Sequence, residues 1–199
     1  MAIMVEHEKR RQKILEKALD VFVAQGFEDA TYQKIAEKCK INRTTLYLYF
    51  RNKREIFNYS IKQLMSKVEG DIGAVRKDDG LSHPEKIIRI LSFVLDRLEE
   101  HRRLLQVILK TLLGLKDPDT RVRRRTVRMR HILATIVIDG IKAGQLKKTA
   151  VHMVDELLYG LIEAALFRLV VLKRKNISEL KSVVELAVKN LTAAKKPDP

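Results

Sequence analysis

The sequence has few of the residues that break helices or build disulfide frameworks. It has 199 residues, of which 8 are glycine, 4 are proline and only Cys39 is cysteine. Few glycines and prolines leave little material for tight turns, which favours long helices over many short strands. A single cysteine excludes an intrachain disulfide and a cysteine-based zinc site, and it is typical of a reducing compartment. We therefore expect a cytoplasmic protein.

A long hydrophobic run is also missing. Residues 1–11 carry charges where a signal peptide needs an apolar stretch. The most apolar segment, 157–172, is interrupted by Glu163 and Arg168, so it is too polar for a membrane span. No helix combines the aromatic and basic faces of a membrane-surface helix, and no membrane partner is expected.

The residues that could carry out catalysis are scattered. Five histidines lie at positions 7, 83, 101, 131 and 152 without His-x-x-x-His spacing, and there is no glycine-rich phosphate loop. Cys39 is predicted on the buried face of a short helix, without a base beside it. We expect no enzyme activity, no cofactor and no metal site.

What the sequence has in excess is positive charge. It contains 40 Lys and Arg against 25 Asp and Glu, which gives a net charge of +15 at pH 7. A field of this sign attracts polyanions. Nucleic acid is the commonest such partner, and anionic membranes and acidic small molecules are the alternatives.

Helical periodicity runs along most of the chain and predicts an all-α fold of about nine helices, without strand-like alternation of useful length. The last four helices are predicted at 103–114, 118–143, 150–174 and 178–194. The breaks between the predicted helices contain residues that cap or end helices. These residues are Gly26, Thr31, Asn42, Asn52, Gly80, Ser82, Gly114, Gly144 and Ser178.

Residues 31–50 have the layout of a helix-turn-helix, in which two short helices are joined by a turn of a few residues. The first predicted helix runs from Thr31 to Cys39, Lys40 and Ile41 form the turn, and the second runs from Asn42 to Phe50. The residues predicted to lock the two helices together are Ile35, Ala36, Ile41, Leu46 and Phe50.

Three stretches of this region, Gly26-Phe27, Thr31–Ala36 and Ile41–Lys53, resemble the TetR family of bacterial transcription regulators. The resemblance extends over about residues 10–60, a whole supersecondary unit. It implies an N-terminal three-helix helix-turn-helix DNA-binding domain at residues 8–53. It also implies a C-terminal helical ligand-binding and dimerisation domain at residues 54–195.

The resemblance further implies which side chains contact duplex DNA. A base-reading face at the start of the third helix would be flanked by side chains near the phosphate backbone. The base-reading residues would be Arg43, Thr44 and Thr45, and the flanking residues Thr31, Gln33, Tyr47, Tyr49 and Lys53. The alternatives are that the tyrosines are packing residues and that Arg43 and Lys53 are ordinary solvated charges.

Subunit pairing is expected at the last two helices. Residues 157–172 are apolar nearly all round, so they need cover on two sides, one from their own domain and one from a partner subunit. The alternative is a core helix buried within a single chain. The resemblance implies a four-helix homodimer interface. The residues expected in it are Leu158, Ile162, Ala165, Leu169, Leu180, Val184, Ala187 and Leu191.

A small-molecule site is expected between helices of the C-terminal domain. Its candidate lining residues are Phe93, His101, Met129 and Phe167, each with plain core packing as the alternative. Between residues 121 and 130 the chain has six arginines. Their side chains form either a solvated face or a site of attraction for an acidic effector.

Together these features predict a homodimeric regulator that binds a palindromic operator and is released, as a repressor, by an acidic or amphipathic small molecule. The alternative is a DNA-binding protein of the same fold that is not ligand-gated. Such a protein would act through a protein partner or by organising DNA.

Overall fold

The computed structural model describes the backbone of residues 2–113 and 120–193, and the side chains of residues 5–111 and 127–193. Over that part of the chain it has nine α-helices and no strand, apart from an isolated bridge between Leu146 and Thr192. The predicted all-α class and number of helices are confirmed. The helices are α1 (Ala2–Gln25), α2 (Tyr32–Lys38), α3 (Arg43–Tyr47), α4 (Lys53–Lys77), α5 (His83–Glu100), α6 (Arg102–Leu113), α7 (Thr120–Lys142), α8 (Val151–Val170) and α9 (Glu179–Leu191).

The end of α8 differs from its prediction. The helix stops at Val170 rather than at residue 174. The reason is that Lys173 has a left-handed backbone, with φ of 51°, and the N–H of Arg174 donates to the carbonyl of Arg168 at 2.9 Å. A left-handed residue of this kind closes the last turn and satisfies carbonyl groups that the helix leaves without partners.

Side-chain caps start two of the short helices as predicted, but the prediction fails for α9. Thr31 Oγ1 accepts a hydrogen bond from the N–H of Lys34 at 3.2 Å at the start of α2. Ser178, the expected cap of α9, makes no capping bond, because its own backbone is already helical rather than extended. The nearby Asn176 instead closes a turn just before the helix, since its Oδ1 accepts from the N–H of Ser178 at 2.6 Å.

The described chain packs as two units, of which the N-terminal one comprises residues 2–66 and 101–113. In it α1 packs against α2 and α6, and α2 packs against α3. Arg103 Nη2 and Asp20 Oδ1 form an ion pair, 2.6 Å apart, that joins α6 to α1. The largest fully buried side chains of this unit are Phe22, Ile35, Leu46, Phe50, Ile56 and Leu64.

The second unit comprises residues 67–100 and 120–193. Its central helix is α5, which packs against α7, α8 and α9, and α8 packs against both α7 and α9. Gly140 lets α7 approach the turn that follows it, since a Cβ there would lie 2.7 Å from Leu146 Cδ1. The largest fully buried side chains of this unit are Ile87, Ile90, Leu91, Leu95, Leu133 and Leu158.

The two units divide α4 between residues 66 and 67. The expected domain boundary after residue 53 stays a prediction, because packing by itself does not define a functional domain. No helix in the described ranges combines the length and the apolar character that a membrane crossing requires.

Candidate nucleic-acid interface

The recognition helix α3 has only five residues, so it depends on its surroundings for stability. Asn42 caps it as predicted: its Oδ1 accepts from the N–H of Thr45 at 2.6 Å. Leu46 is 0% exposed and Phe50 1% exposed, so both anchor the segment to the core of the unit. The helix ends earlier than predicted, because the N–H groups of Leu48 and Tyr49 bond carbonyls three residues back, those of Thr45 and Leu46, instead of four residues back.

The turn between α2 and α3 includes Lys40, as predicted, and depends on a backbone conformation that the residue type does not indicate. Lys40 has a positive φ of 55°, a conformation that lysine rarely adopts. Its N–H donates to the carbonyl of Glu37, and the N–H of Ile41 reaches the carbonyl of Ala36 at 3.1 Å. Ala36 is buried where the two helices cross, as predicted. No side-chain signal marks Lys40, since glycine is the usual residue for this geometry.

The side chains expected to read bases lie on the outer surface of α3. Arg43 and Thr44 are exposed and Thr45 is half-buried. On α2, Gln33 is exposed, and its Nε2 donates to Glu37 at 2.8 Å. Thr31 uses its oxygen as an acceptor within the cap, which leaves its hydroxyl proton to donate outward. Exposed donors therefore begin both helices of the motif.

Aromatic contacts hold the outer face of α3 in place. The Tyr47 ring lies against the Tyr32 ring, with centroids 4.8 Å apart, and Arg43 Nη2 donates to the Tyr47 hydroxyl at 3.2 Å. The Tyr32 hydroxyl donates to the carbonyl of Phe50. Burial, and then the nearby Tyr47 and Glu55, raises the pKa of Tyr32 to about 12. Tyr32 is thus a neutral anchor that orients Tyr47, which stays 49% exposed.

Tyr49 lies just beyond the end of α3 and is half-buried. Its ring stacks on the His7 ring, with centroids 4.7 Å apart and an interplanar angle of 27°. The stacking partner comes from the start of α1, far away in sequence. Tyr47 and Tyr49 therefore pack against other rings and also keep exposed surface, and their contact with DNA stays a prediction.

Lys53, expected near the phosphate backbone, makes contacts within its own chain. Its Nζ donates to the carbonyls of Phe27 and Glu28, at 2.8 and 2.6 Å, and lies 5.0 Å from the centroid of the Phe27 ring. These contacts tie the turn after α1 to the start of α4. In this conformation the ammonium of Lys53 stabilises the turn, and its contact with a DNA phosphate stays a prediction.

The residues expected in the dimer interface are mostly buried in the core of their own chain. Leu158, Ala165 and Leu169 are 0% exposed, so they have no surface to offer a partner. Ile162, Leu180 and Val184 are likewise buried, whereas Ala187 and Leu191 are half-buried. The six buried residues are therefore core residues of the single chain, whereas the place of Ala187 and Leu191 in an interface stays a prediction. The large apolar residues exposed on them are Met153, Leu157, Phe167, Val183 and Leu186.

The four candidate ligand residues do not form one site within either unit. Phe93 and Met129 are half-buried against the core of the second unit. Phe167 is 54% exposed, and its place in a pocket lining stays a prediction. His101 belongs to the N-terminal unit and not to the unit in which it was expected to act.

The arginine-rich segment lies only partly within the described side chains. The side chains of Arg121, Arg123, Arg124 and Arg125 fall outside them. Arg128 is exposed and lies 3.6 Å from Glu69. Arg130 donates from Nε to Asp155 at 2.7 Å and also bonds Glu156, and the bonds to Glu156 and Asp155 raise the pKa of Arg130.

Histidine, cysteine, aspartate and glutamate side chains do not cluster into a possible metal site anywhere in the described residues. The site that the structure does assemble is the exposed face of α3 with the start of α2. We call this surface the α3 face and define it by Thr31, Gln33, Arg43, Thr44 and Tyr47.

The sequence is similar to those of known transcriptional regulators. The family model described as "Bacterial regulatory proteins, tetR family" matches residues 14–59, which include α2, α3 and the start of α4. The chain is 39% identical over 66 residues to the HTH-type transcriptional regulator SrpR of Pseudomonas putida, which covers 33% of this chain and 31% of that protein.

A second relative extends over the whole chain. The fatty acid metabolism regulator protein of Bacillus subtilis is 24% identical over 199 residues, which covers 94% of this chain and 98% of that protein. The chain thus spans about a third of the length of SrpR and nearly all of the length of the fatty acid regulator.

A solved structure has the same fold. The transcriptional regulator FadR from Bacillus subtilis, in complex with stearoyl-CoA, superposes with a TM-score of 0.63 at 21% identity. The match covers 89% of this chain and 95% of that one. At that identity the likeness demonstrates a common architecture of α-helices and nothing about the ligand.

Proposed function

This chain belongs to the TetR family of bacterial regulatory proteins, which are DNA-binding transcription regulators, and on this premise we propose that it is a homodimeric, ligand-gated repressor. Two copies would bind a palindromic operator, with recognition helices about one DNA turn (~34–36 Å) apart. A small molecule bound in the second unit would favour a conformation with weaker DNA affinity.

The observation that carries the DNA-binding role is the α3 face. Arg43 and Thr44 start a helix whose opposite side is anchored by the buried Leu46. Arginine can bind guanine through two hydrogen bonds, and threonine can contact phosphate oxygens or the thymine methyl group. The bond from Arg43 to Tyr47 limits the freedom of the guanidinium before DNA arrives. A charged donor held on a rigid helix suits base reading.

Capture of genomic fragments by the purified protein, followed by sequencing, would identify the operator. Arg43→Ala is then expected to weaken operator binding by about 1–3 kcal/mol and to relax preference at particular base pairs. Arg128→Ala is the matched control, because Arg128 is exposed in the other unit. Fluorescence anisotropy at several salt concentrations measures both. Equal affinity of Arg43→Ala and the wild type would refute the assignment of the α3 face.

The homodimer is supported by an apolar stripe on α8. At helical spacing this stripe contains Met153, Leu157 and Phe167 of α8 and its C-cap residue Val171, which are between 47% and 63% exposed. Gly160 lies in the same stripe, and a Cβ there would meet nothing within 4 Å. Its own chain therefore has no packing need for a glycine, whereas a partner helix would approach closely there. Val183 and Leu186 add exposed apolar surface on α9, which packs against α8.

Dimer formation can be tested by light scattering coupled to size-exclusion chromatography. The wild type is expected at twice the mass of the chain, and Leu157→Glu is expected to move it to the monomer mass, because it places a charge in an apolar contact. Ile138→Glu, on α7, is the control, since Ile138 is 38% exposed outside the stripe. A monomeric wild type would refute the proposal.

We propose further that the effector is an acyl chain with an anionic group. The relative that spans the whole chain is named for fatty acid metabolism, and the FadR structure contains stearoyl-CoA. The net charge of +15 attracts an anionic group, and the second unit buries apolar side chains between α5, α7 and α8. The arginines at 121–130 would contribute to that attraction, as in the sequence-based hypothesis.

Titration with palmitoyl-CoA, with free CoA as control, tests the effector. At 100 times the dissociation constant a ligand stabilises its protein by about 2.7 kcal/mol, which raises the Tm by roughly 5–10 °C at this size. The same ligand is expected to release the operator. The double variant Arg124→Ala, Arg128→Ala is expected to weaken binding. If no acyl-CoA moved the Tm or the DNA affinity, the alternative that is not ligand-gated would replace this part of the proposal.

A further inference from the structure

We propose that His7, at the start of α1, is a further DNA contact that extends the α3 face to a phosphate at the edge of each half-site. The inference rests on the proposed DNA-binding function. It adds a residue from outside the helix-turn-helix and outside the segment, 14–59, that matches the family model.

Ring stacking places His7 beside Tyr49, which lies just beyond the end of α3. Its side chain is exposed, and its ring covers one side of the Tyr49 ring at a centroid distance of 4.7 Å. Tyr49 directly follows the C-cap of α3, Leu48. A DNA phosphate that lies within reach of Tyr49 is therefore also within reach of the imidazole stacked on it.

The start of α1 is held firmly enough to position that ring. The Tyr59 hydroxyl donates to Glu8 Oε1 at 3.2 Å, immediately next to His7. One turn further on, the Arg11 guanidinium lies 4.0 Å from the centroid of the Tyr59 ring and 4.9 Å from that of Phe50. These contacts tie the first turns of α1 to Tyr59 of α4 and to Phe50, at the end of the helix-turn-helix.

The stacked arrangement leaves the chemistry of the imidazole available. Stacking uses the face of the ring, whereas its N–H group points outward in the ring plane. Within the described part of the chain His7 makes no hydrogen bond, and its side chain is exposed. An exposed, oriented N–H donor beside a groove-reading helix matches the backbone contacts that set the register of a protein on duplex DNA.

The test separates the donor from the stacking. His7→Phe keeps an aromatic ring against Tyr49 but removes the N–H donor, whereas His7→Ala removes both. Lys9→Gln is the control, because Lys9 is exposed two positions further along α1 and so lies on the opposite side of the helix. The probe is the operator duplex obtained by genomic capture, and circular dichroism with a melting curve verifies the fold of each variant.

His7→Phe is expected to weaken operator affinity about five- to tenfold, the effect of one lost hydrogen bond, while Lys9→Gln changes it less. Ethylation of one edge phosphate in each half-site is expected to impair the wild type and to leave His7→Phe unaffected. Loss of affinity in His7→Ala alone, with normal binding by His7→Phe, would show that the ring only supports Tyr49 and would overturn the proposal.

Equal losses in His7→Phe and Lys9→Gln would also overturn it, because the effect would then come from general charge or from the helix as a whole. Failure of the wild type to retain any duplex would overturn the proposed function itself. Tight binding by the wild type and by His7→Phe alike would overturn only the contact made by His7.

Discussion

α3 and α8 present surfaces of opposite character. α3 has five residues and exposes polar side chains around one buried leucine, whereas α8 has twenty residues and carries apolar side chains on both its buried and its exposed sides. A five-residue helix is not stable alone, so α3 exists only where its cap and anchors hold it. A long apolar helix has several faces that it could bury, and only its neighbours select one.

The difference shows where each surface is sensitive to change. In α3 a few contacts made by Asn42, Leu46 and Tyr32 determine the geometry of the whole face. In α8 the helices α5, α7 and α9 cover one side, and the exposed stripe is the apolar side that they leave uncovered. Substitutions in adjacent positions of α8 should therefore have very different effects.

The largest expected effect comes from neighbouring leucines of α8. Leu158→Ala is expected to lower the free energy of unfolding by about 2–5 kcal/mol, because it empties a fully buried site. Leu157→Ala should have a much smaller effect at low protein concentration, since Leu157 is 47% exposed in the single chain. Urea denaturation at two protein concentrations measures both. Equal losses would mean that the assignment of the two faces of α8 is wrong.

A smaller loss of stability is expected from removing a helix cap, and it should differ between the starts of α3 and α9. Asn42→Ala is expected to lower stability by about 1 kcal/mol, because it removes the cap of α3. Ser178→Ala at the start of α9 should be close to neutral, since the Ser178 side chain makes no capping bond. Thermal denaturation followed by circular dichroism compares them. A larger loss in Ser178→Ala than in Asn42→Ala would contradict the cap assignment.

Two lysines with a left-handed backbone, one beside α3 and one beside α8, are sites where a substitution should stabilise the protein. Lys40 precedes α3 and Lys173 follows α8, with φ values of 55° and 51°. Glycine has no Cβ strain in this conformation, but it loses more backbone entropy on folding. Lys40→Gly and Lys173→Gly are each expected to raise stability by at most about 1 kcal/mol. Destabilisation of either variant, measured by urea titration, would show that the lysine side chain has a role of its own.

The smallest expected effect is a pH dependence confined to the support of α3. The pKa of Tyr32 is raised from 10.0 to about 12 in the folded protein. Its contribution to stability is therefore present below pH 10 and is lost as the pH rises from 10 to 12, because the unfolded chain releases the proton first. Unfolding midpoints at pH 9 and pH 11 should differ less in Tyr32→Phe than in the wild type. If the midpoints differed by the same amount in both proteins, the ionisation of Tyr32 would not contribute to this pH dependence.

Local signals were sufficient to predict the two short capped helices that carry the α3 face. Thr31 and Asn42 are capping residues three positions before the N–H groups that they bond, and Leu46 recurs at helical spacing with Phe50. Such relations lie within one or two helical turns, so a sequence displays them directly. The contacts of Lys53 with Phe27 and Glu28 join residues that are 26 and 25 positions apart, and no local pattern indicates them.

Helix period and capping act over a few residues, so local patterns are enough to establish the all-α architecture, the position of the helix-turn-helix and the polar character of its outer face. Packing between distant segments selects which side of α8 is buried, what Lys53 bonds and which ring stacks on Tyr49. Those outcomes depend on neighbours that are distant in the chain, and an apolar residue has the same affinity for any apolar surface that reaches it.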